Sequence, residues 1–301
     1  MTTHAQAPRA PRSRRRSSPV ALGRRERDRW ILEALAKMRF LTSTQIAKLF
    51  FGGSRSITNR RLRRLFDAGL VRVWVRNLAQ DNVYALAPAG RNDLDEVEDP
   101  AASLSCPRRL DGQLDHLLAI NAVRIALAVS LTDGVLAWWQ SDWELRRYGS
   151  DESVPDARFA ISWPGTGELR YALEVEYHTR SPRTFLRKML RRARTQTRAL
   201  RDSEDDALVL VVGRHPAWLE RYRQAVATLT IGHGVWFSTL TEVEQGGANA
   251  AIWRPASGAQ SAQLRALTNC PYGNGSWPPE NDAAAQPSAA QTPQTCPSET
   301  P

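Results

Sequence analysis

An α/β protein is predicted, with a helical module and a hairpin at the N-terminus followed by helices packed on a mixed sheet. Three observations carry the prediction. From Arg24 onward, apolar residues recur at three- and four-residue steps. Val154 to Tyr177 contains two short alternating runs around Pro164-Gly165-Thr166-Gly167, which reads as an antiparallel hairpin. Ala207 to Val212 is a continuous apolar run between two helical patterns, as expected of a strand buried on both faces of a parallel sheet.

Residues 1–23 are mostly Arg, Pro, Ser and Ala, including Arg12-Ser13-Arg14-Arg15-Arg16, and read as a disordered basic arm able to track phosphates. The first helix is expected from about Arg24 to Met38, with Trp30, Ile31, Ala34, Leu35 and Met38 as its apolar stripe. Thr42 or Ser43 caps a second helix through Phe50, and Gly52-Gly53 ends it. Ser54 opens a third helix. On its wheel Ile57, Leu62, Leu65 and Phe66 face inward, while Ser56, Asn59, Arg60, Arg63 and Arg64 face outward. A hairpin of Val71–Val75 and Val83–Leu86 follows, with its tip at Asn77 to Asn82. Residues 95–109, acidic and containing Pro100, form a linker.

The helix expected from about Leu110 to Leu131 is largely apolar, with His116 and Asn121 inside it. A lone His on such a helix is more often a packing residue than a site residue. Next come a strand from Val135 running irregularly to Leu145, the hairpin, a helix from Pro182 to Arg201, a strand at Ala207–Val212, a helix near Ala217–Leu229 and a last strand, Gly234–Leu240. Residues 110–245 thus form the second domain. From Pro255 to Pro301 the chain is poor in hydrophobic residues and is expected to be a disordered tail.

Length and composition set the class. The 301 residues leave room for one large or two modest domains, and a hydrophobic fraction of 42% supports ordinary cores. No apolar run approaches the roughly 18–20 residues needed to cross a bilayer, so a soluble, cytoplasmic protein with no membrane partner is expected. Net charge is +10, and lysine occurs only at Lys37, Lys48 and Lys188. Guanidinium groups suit phosphate forks and base edges, which makes double-stranded DNA the expected partner. Cys106, Cys270 and Cys296 follow neither a zinc spacing nor a disulfide framework.

The chemistry concentrates on the hairpin. In Tyr171-Ala172-Leu173-Glu174-Val175-Glu176-Tyr177 the side chains alternate, so Glu174 and Glu176 share one face. With a turn centred near Thr166, Asp156 falls opposite Glu176 and diagonal to Glu174, at about 5 and 7–8 Å. Three converging carboxylates repel unless a cation lies among them, and Mg²⁺ takes oxygen ligands of this kind. The competing reading leaves this face in water, with Arg158 and Arg170 neutralising the acids.

These residues carry a resemblance. Three helices, "DAGLVR", a hairpin and "YALAPAGR" resemble the winged-helix fold over residues 24–94. That resemblance implies DNA contact by Ser56, Asn59, Arg60, Arg63 and Arg64 of the third helix, with Arg72 and Arg76 on the wing. Pro155-Asp156, Glu174-x-Glu176 and a following helix resemble the PD-(D/E)xK nuclease superfamily. With "LDHLLAINAVRIAL", "VPDARF" and "LEVEYHT", the whole looks like the replication-relaxation family of actinobacterial plasmids and integrated elements. The implied fold is an N-terminal winged helix followed by a restriction-endonuclease-like α/β sandwich with a mixed sheet.

The resemblance implies that Asp156 and Glu174 bind Mg²⁺, with Glu176 as a further acid. Glu176 stands where the superfamily carries lysine. Lys188, on an edge of the next helix, can lean toward the acids or serve a phosphate-binding face, and Glu144 is a further candidate ligand. Two functions follow: a Mg²⁺-dependent DNA nicking or cleaving protein of plasmid replication or mobilisation, or a non-catalytic replication or transcription regulator with a degenerate nuclease-like domain. A homodimer and other replication or mobilisation proteins are candidate partners.

Overall fold

The computed structural model describes residues 14–16, 23, 25–76, 80–94, 113–148, 154–178, 180–200, 207–229, 234–256, 258 and 260–269, with side chains in α7 (Pro182–Leu200) to residue 191. The predicted linker and most of the predicted arm and tail lie outside these residues.

The first unit is α1 (Glu26–Met38), β1 (Leu41–Thr42), α2 (Ser43–Phe50), α3 (Arg55–Asp67), β2 (Val71–Trp74), β3 (Val83–Leu86) and α4 (Pro88–Asn92). The strands form an antiparallel sheet in the order β1-β3-β2. Thr42 caps α2: its hydroxyl accepts from the Gln45 amide at 3.1 Å and the Gln45 side chain accepts from the Thr42 amide at 3.0 Å. Ile31, Leu35, Ile46, Leu62 and Leu65 fill the core.

Two details of the helical wheels differ from expectation. Ile57 is 53% exposed and Trp30 45% exposed. The inward stripe of α3 instead runs through Thr58, Arg61, Leu62, Leu65 and Phe66. Arg61 can turn inward because the two carboxylate oxygens of Asp28 of α1 accept from its Nε and Nη2. Gly90 lets α4 press on β2, since a Cβ there would lie 2.1 Å from the Leu70 carbonyl oxygen.

The second unit is α5 (Leu114–Ser130), β4 (Val135–Ser141), α6 (Asp142–Tyr148), β5 (Ala157–Trp163), β6 (Gly167–Glu176), α7, β7 (Leu208–Gly213), α8 (Pro216–Ala227), β8 (Val235–Thr239), α9 (Leu240–Gly246) and β9 (Arg254–Pro255). The six-stranded sheet has the order β4-β5-β6-β7-β8-β9; β6-β7 and β7-β8 are parallel and the other pairs antiparallel. A mixed sheet is therefore present. One face packs Phe159, Tyr171, Leu173, Val175 and Trp253 against α5 and α9. The other packs Val209, Val211 and Phe237 against Phe185 and Met189 of α7 and Leu219 and Tyr222 of α8.

Two predictions are corrected here. The segment around Trp143-Glu144-Leu145, expected as strand, is α6, because Glu144 accepts from the Ser141 amide at 2.6 Å and so closes the first helical turn. The expected tail starts too early. Arg254–Pro255 pairs with β8, Trp253 bridges Ala262, and Leu264 and Leu267 are fully buried in the core.

The two units meet at α5. Its Ile125 joins the core of the first unit, while Ala119, Ile120, Val123 and Leu127 belong to that of the second. Gln45 donates to the Leu118 carbonyl at 2.8 Å, and Arg76 pairs with Asp115 at 2.9 Å.

Candidate functional site

Strand β6 places its acids by simple alternation. Tyr171, Leu173 and Val175 point toward α5, so Ala172, Glu174 and Glu176 point toward α7. Because β6 lies between β5 and β7 and α7 covers this face, both acids are buried, Glu174 at 0% exposure and Glu176 at 5%. Buried carboxylates need a counter-charge, and α7 supplies it. Ser181 opens that helix, its hydroxyl accepting from the Thr184 amide at 3.2 Å. Phe185 and Met189 anchor it against the sheet, and Lys188 projects from the same side. The Lys188 Nζ lies 2.7 Å from Glu174 Oε2 and 2.6 Å from Glu176 Oε1. Arg180 adds a weaker contact, its Nε 3.6 Å from Glu176 Oε2. The Tyr222 hydroxyl holds the Arg180 backbone by donating to its carbonyl and accepting from its amide, both at 2.8 Å.

Asp156 is placed differently. The ladder pairs Ala157 with Leu173, so one further step sets Asp156 opposite Glu174 rather than Glu176. The turn closes one residue earlier than expected, with Gly165 and Gly167 both at positive φ. The Asp156 amide donates to the Leu173 carbonyl at 3.1 Å, and its Oδ2 accepts from the Val175 amide at 2.7 Å, so the carboxylate continues the ladder where the strand has ended. Oδ1 lies 3.2 Å from His116 Nε2 on α5. His116 is therefore a site residue; a single histidine in an apolar helix carries no sequence signal that separates it from a packing one.

Electrostatics sort the acids. Burial opposes ionisation of Asp156, but the His116 hydrogen bond, the Lys188 ammonium and the Val175 amide outweigh it and hold its carboxyl below the usual range. Burial and the charge of Asp156 push the carboxyl of neighbouring Asp142 upward. Both carboxyls line a cleft of about 390 Å³ with His116 and Glu176, walled by Phe40, Leu117 and Val175 and rimmed by Arg39, Arg146, His178 and Arg180. A larger cleft of about 810 Å³, between α2, α5 and α9, contains none of Asp156, His116, Glu174 and Lys188. Glu144 is occupied in capping α6.

The expected three-acid metal cage is not what these residues form. Lys188 occupies the position between Glu174 and Glu176, the Glu174 oxygens are closed to solvent, and both oxygens of Asp156 already have protein partners. Among the described residues no group of three or more His, Cys, Asp and Glu side chains is placed to hold an ion. A hydrated Mg²⁺ takes one or two carboxylates and keeps its waters, and Asp156, at 17% side-chain exposure, lines the cleft together with Asp142 and Glu176.

The outward face of α3 carries Ser56, Asn59, Arg60 and Arg64, all exposed. Arg63 is half-buried, paired with Asp67 at 2.9 Å and donating to the Arg14 carbonyl at 2.8 Å. The Arg16 amide donates to Asp67 at 3.1 Å and Arg15 lies over the Phe66 ring, so residues 14–16 of the predicted arm run along α3. Arg72 is exposed, whereas Arg76 is engaged with Asp115.

No helix among the described residues is long and apolar enough to cross a membrane. A family model described as replication-relaxation matches residues 32–198, more than half of the chain. No curated protein and no solved structure matches it.

Proposed function

The chain belongs to the replication-relaxation family, and from that premise we propose that it is a DNA-binding protein of plasmid replication or mobilisation that nicks a DNA strand in the cleft of Asp156 and His116. The observation that carries this reading is Lys188, whose ammonium meets Glu174 and Glu176. It restores, from the following helix, the positive charge that the Glu-x-Glu motif lacks beside its acids.

The first unit, read as a winged helix, binds duplex DNA through Ser56, Asn59, Arg60 and Arg64, with Arg72 on the hairpin. Arg63 and Arg76, tied to Asp67 and Asp115, help shape that surface. In the cleft, Asp156 accepts a hydrogen bond from His116 Nε2, which leaves the other ring nitrogen able to take a proton from an attacking water. Asp142, whose carboxyl is pushed upward by burial and by the charge of Asp156, is a second acid of the cleft. Lys188 offsets part of the charge of the buried acids and adds positive potential next to Asp156. Mg²⁺, the cofactor implied by the nuclease resemblance, would supply charge for the phosphate and a more acidic bound water.

The test uses supercoiled plasmid incubated with the full chain in Mg²⁺, Mn²⁺ or EDTA and read for open circles. Nicking is expected from the wild type, with a loss of at least tenfold in Asp156→Asn and Lys188→Met. The EDTA arm decides the need for metal. A second reading, a non-catalytic regulator, draws on the closure of Glu174 to solvent. Duplex binding without nicking in any condition would establish it.

A further inference from the structure

The turn between α1 and β1 is built on one strained residue. Arg39 has φ 64° and ψ −52°, and the Phe40 amide donates across it to the Met38 carbonyl at 2.7 Å. A γ-turn with this sign of φ is rare and strained for a residue with a Cβ, while glycine adopts it with less strain. Such conformations persist where the surroundings over-determine them, and they concentrate at functional sites. Here the surroundings are α5. Asn121 is buried, and its Nδ2 donates to both flanking carbonyls, Met38 at 3.0 Å and Phe40 at 2.8 Å. A helix of the second unit therefore holds the turn of the first.

The turn brings Arg39 to the cleft that contains Asp156, His116 and Asp142. The other two arginines of the rim lie near acids, Arg146 at 3.7 Å from Asp142 and Arg180 at 3.6 Å from Glu176. The Arg39 guanidinium has neither an ion pair nor a hydrogen bond among the described residues. An arginine lining the cleft without a carboxylate partner is set to meet an anion, and its planar fork matches a phosphodiester.

We propose that Arg39 is a substrate-binding residue of the cleft, its guanidinium gripping a backbone phosphate of DNA beside Asp156 and His116, so that the site is completed across the junction of the two units. The proposal rests on the reading that the cleft takes DNA. It explains why the position is not glycine: the backbone asks for one, and the side chain is needed.

The test compares Arg39→Gly, Arg39→Ala and Arg39→Lys in the full chain by melting temperature, plasmid nicking and the salt dependence of binding to a labelled duplex. Arg39→Gly is expected to melt at or above the wild-type temperature, because strain is relieved. Its nicking rate should fall at least tenfold, and the slope of log affinity against log salt should drop by about one, the loss of one phosphate contact. Arg39→Lys should recover part of both, and Arg39→Ala neither. Wild-type nicking and an unchanged slope in Arg39→Gly would overturn the proposal and leave the DNA reading standing. If the wild type binds without nicking, the slope alone decides. A wild type that binds no DNA overturns the DNA reading itself, and this proposal with it.

Discussion

Arg60 and Arg61 are neighbours in sequence with opposite surroundings. Arg61 is buried and paired through Nε and Nη2 with the buried Asp28, while Arg60 is exposed. Removing one partner of a buried pair strands the other charge, so Arg61→Ala should cost about 3–5 kcal/mol. Arg60→Ala should stay within about 0.5 kcal/mol. Urea unfolding of the two variants checks the contrast. Asp156 makes a pH prediction. Its folded-state carboxyl is more acidic than an unfolded one, so its contribution is fully present above the ordinary carboxylate range and is lost as pH falls through the depressed value. Asp156→Asn should flatten the acid limb of stability between pH 5 and 3, on the order of the ordinary carboxylate range, while leaving the Val175 amide an oxygen to bond. Urea midpoints across that range give the answer.

At the scale of elements, α3 presents two different faces. On α3 Arg60 and Arg64 are exposed to solvent, whereas Arg63 is held by Asp67 and the Arg14 carbonyl. Arg60→Ala with Arg64→Ala should lower the salt slope of duplex binding by roughly two. Arg63→Ala should lower it by less than one; an equal loss from Arg63 alone would mean that its pairing opens on DNA. The helix boundaries of α2 and α3 were legible because Thr42-Ser43, Gly52-Gly53 and Ser54 are local signals. α6 and α9 were not, since each is only seven residues long, too short for an apolar stripe to repeat. α9 depends on Glu242, whose carboxyl is lowered to about 2: burial opposes its charge, but Arg254 and Thr239 bind it strongly.

At the scale of the whole molecule, α5 is shared. It contributes Ile125 to one core and most of its remaining apolar face to the other, and Asn121 satisfies two carbonyls of the α1–β1 turn. The described units should therefore unfold together, giving one calorimetric transition. Asn121→Leu leaves the Met38 and Phe40 carbonyls without that donor, at about 1–3 kcal/mol for each group left unsatisfied. It should lower the melting temperature and, if the junction carries the coupling, split the transition in two. A single transition unchanged in position would place the coupling elsewhere on α5.

Sequence alone determined the periodic elements, the mixed sheet and the shared face of Glu174 and Glu176, because helical and strand periods are written in neighbouring residues. Tertiary structure decided which groups the acids meet. Lys188 is twelve residues from Glu176 and His116 is forty from Asp156, and nothing in local periodicity says which helix edge will lie over which strand end. The same holds for Arg39. Its strain and its place in the cleft come from Asn121 on a helix more than eighty residues away, a relation that packing creates and no local pattern records.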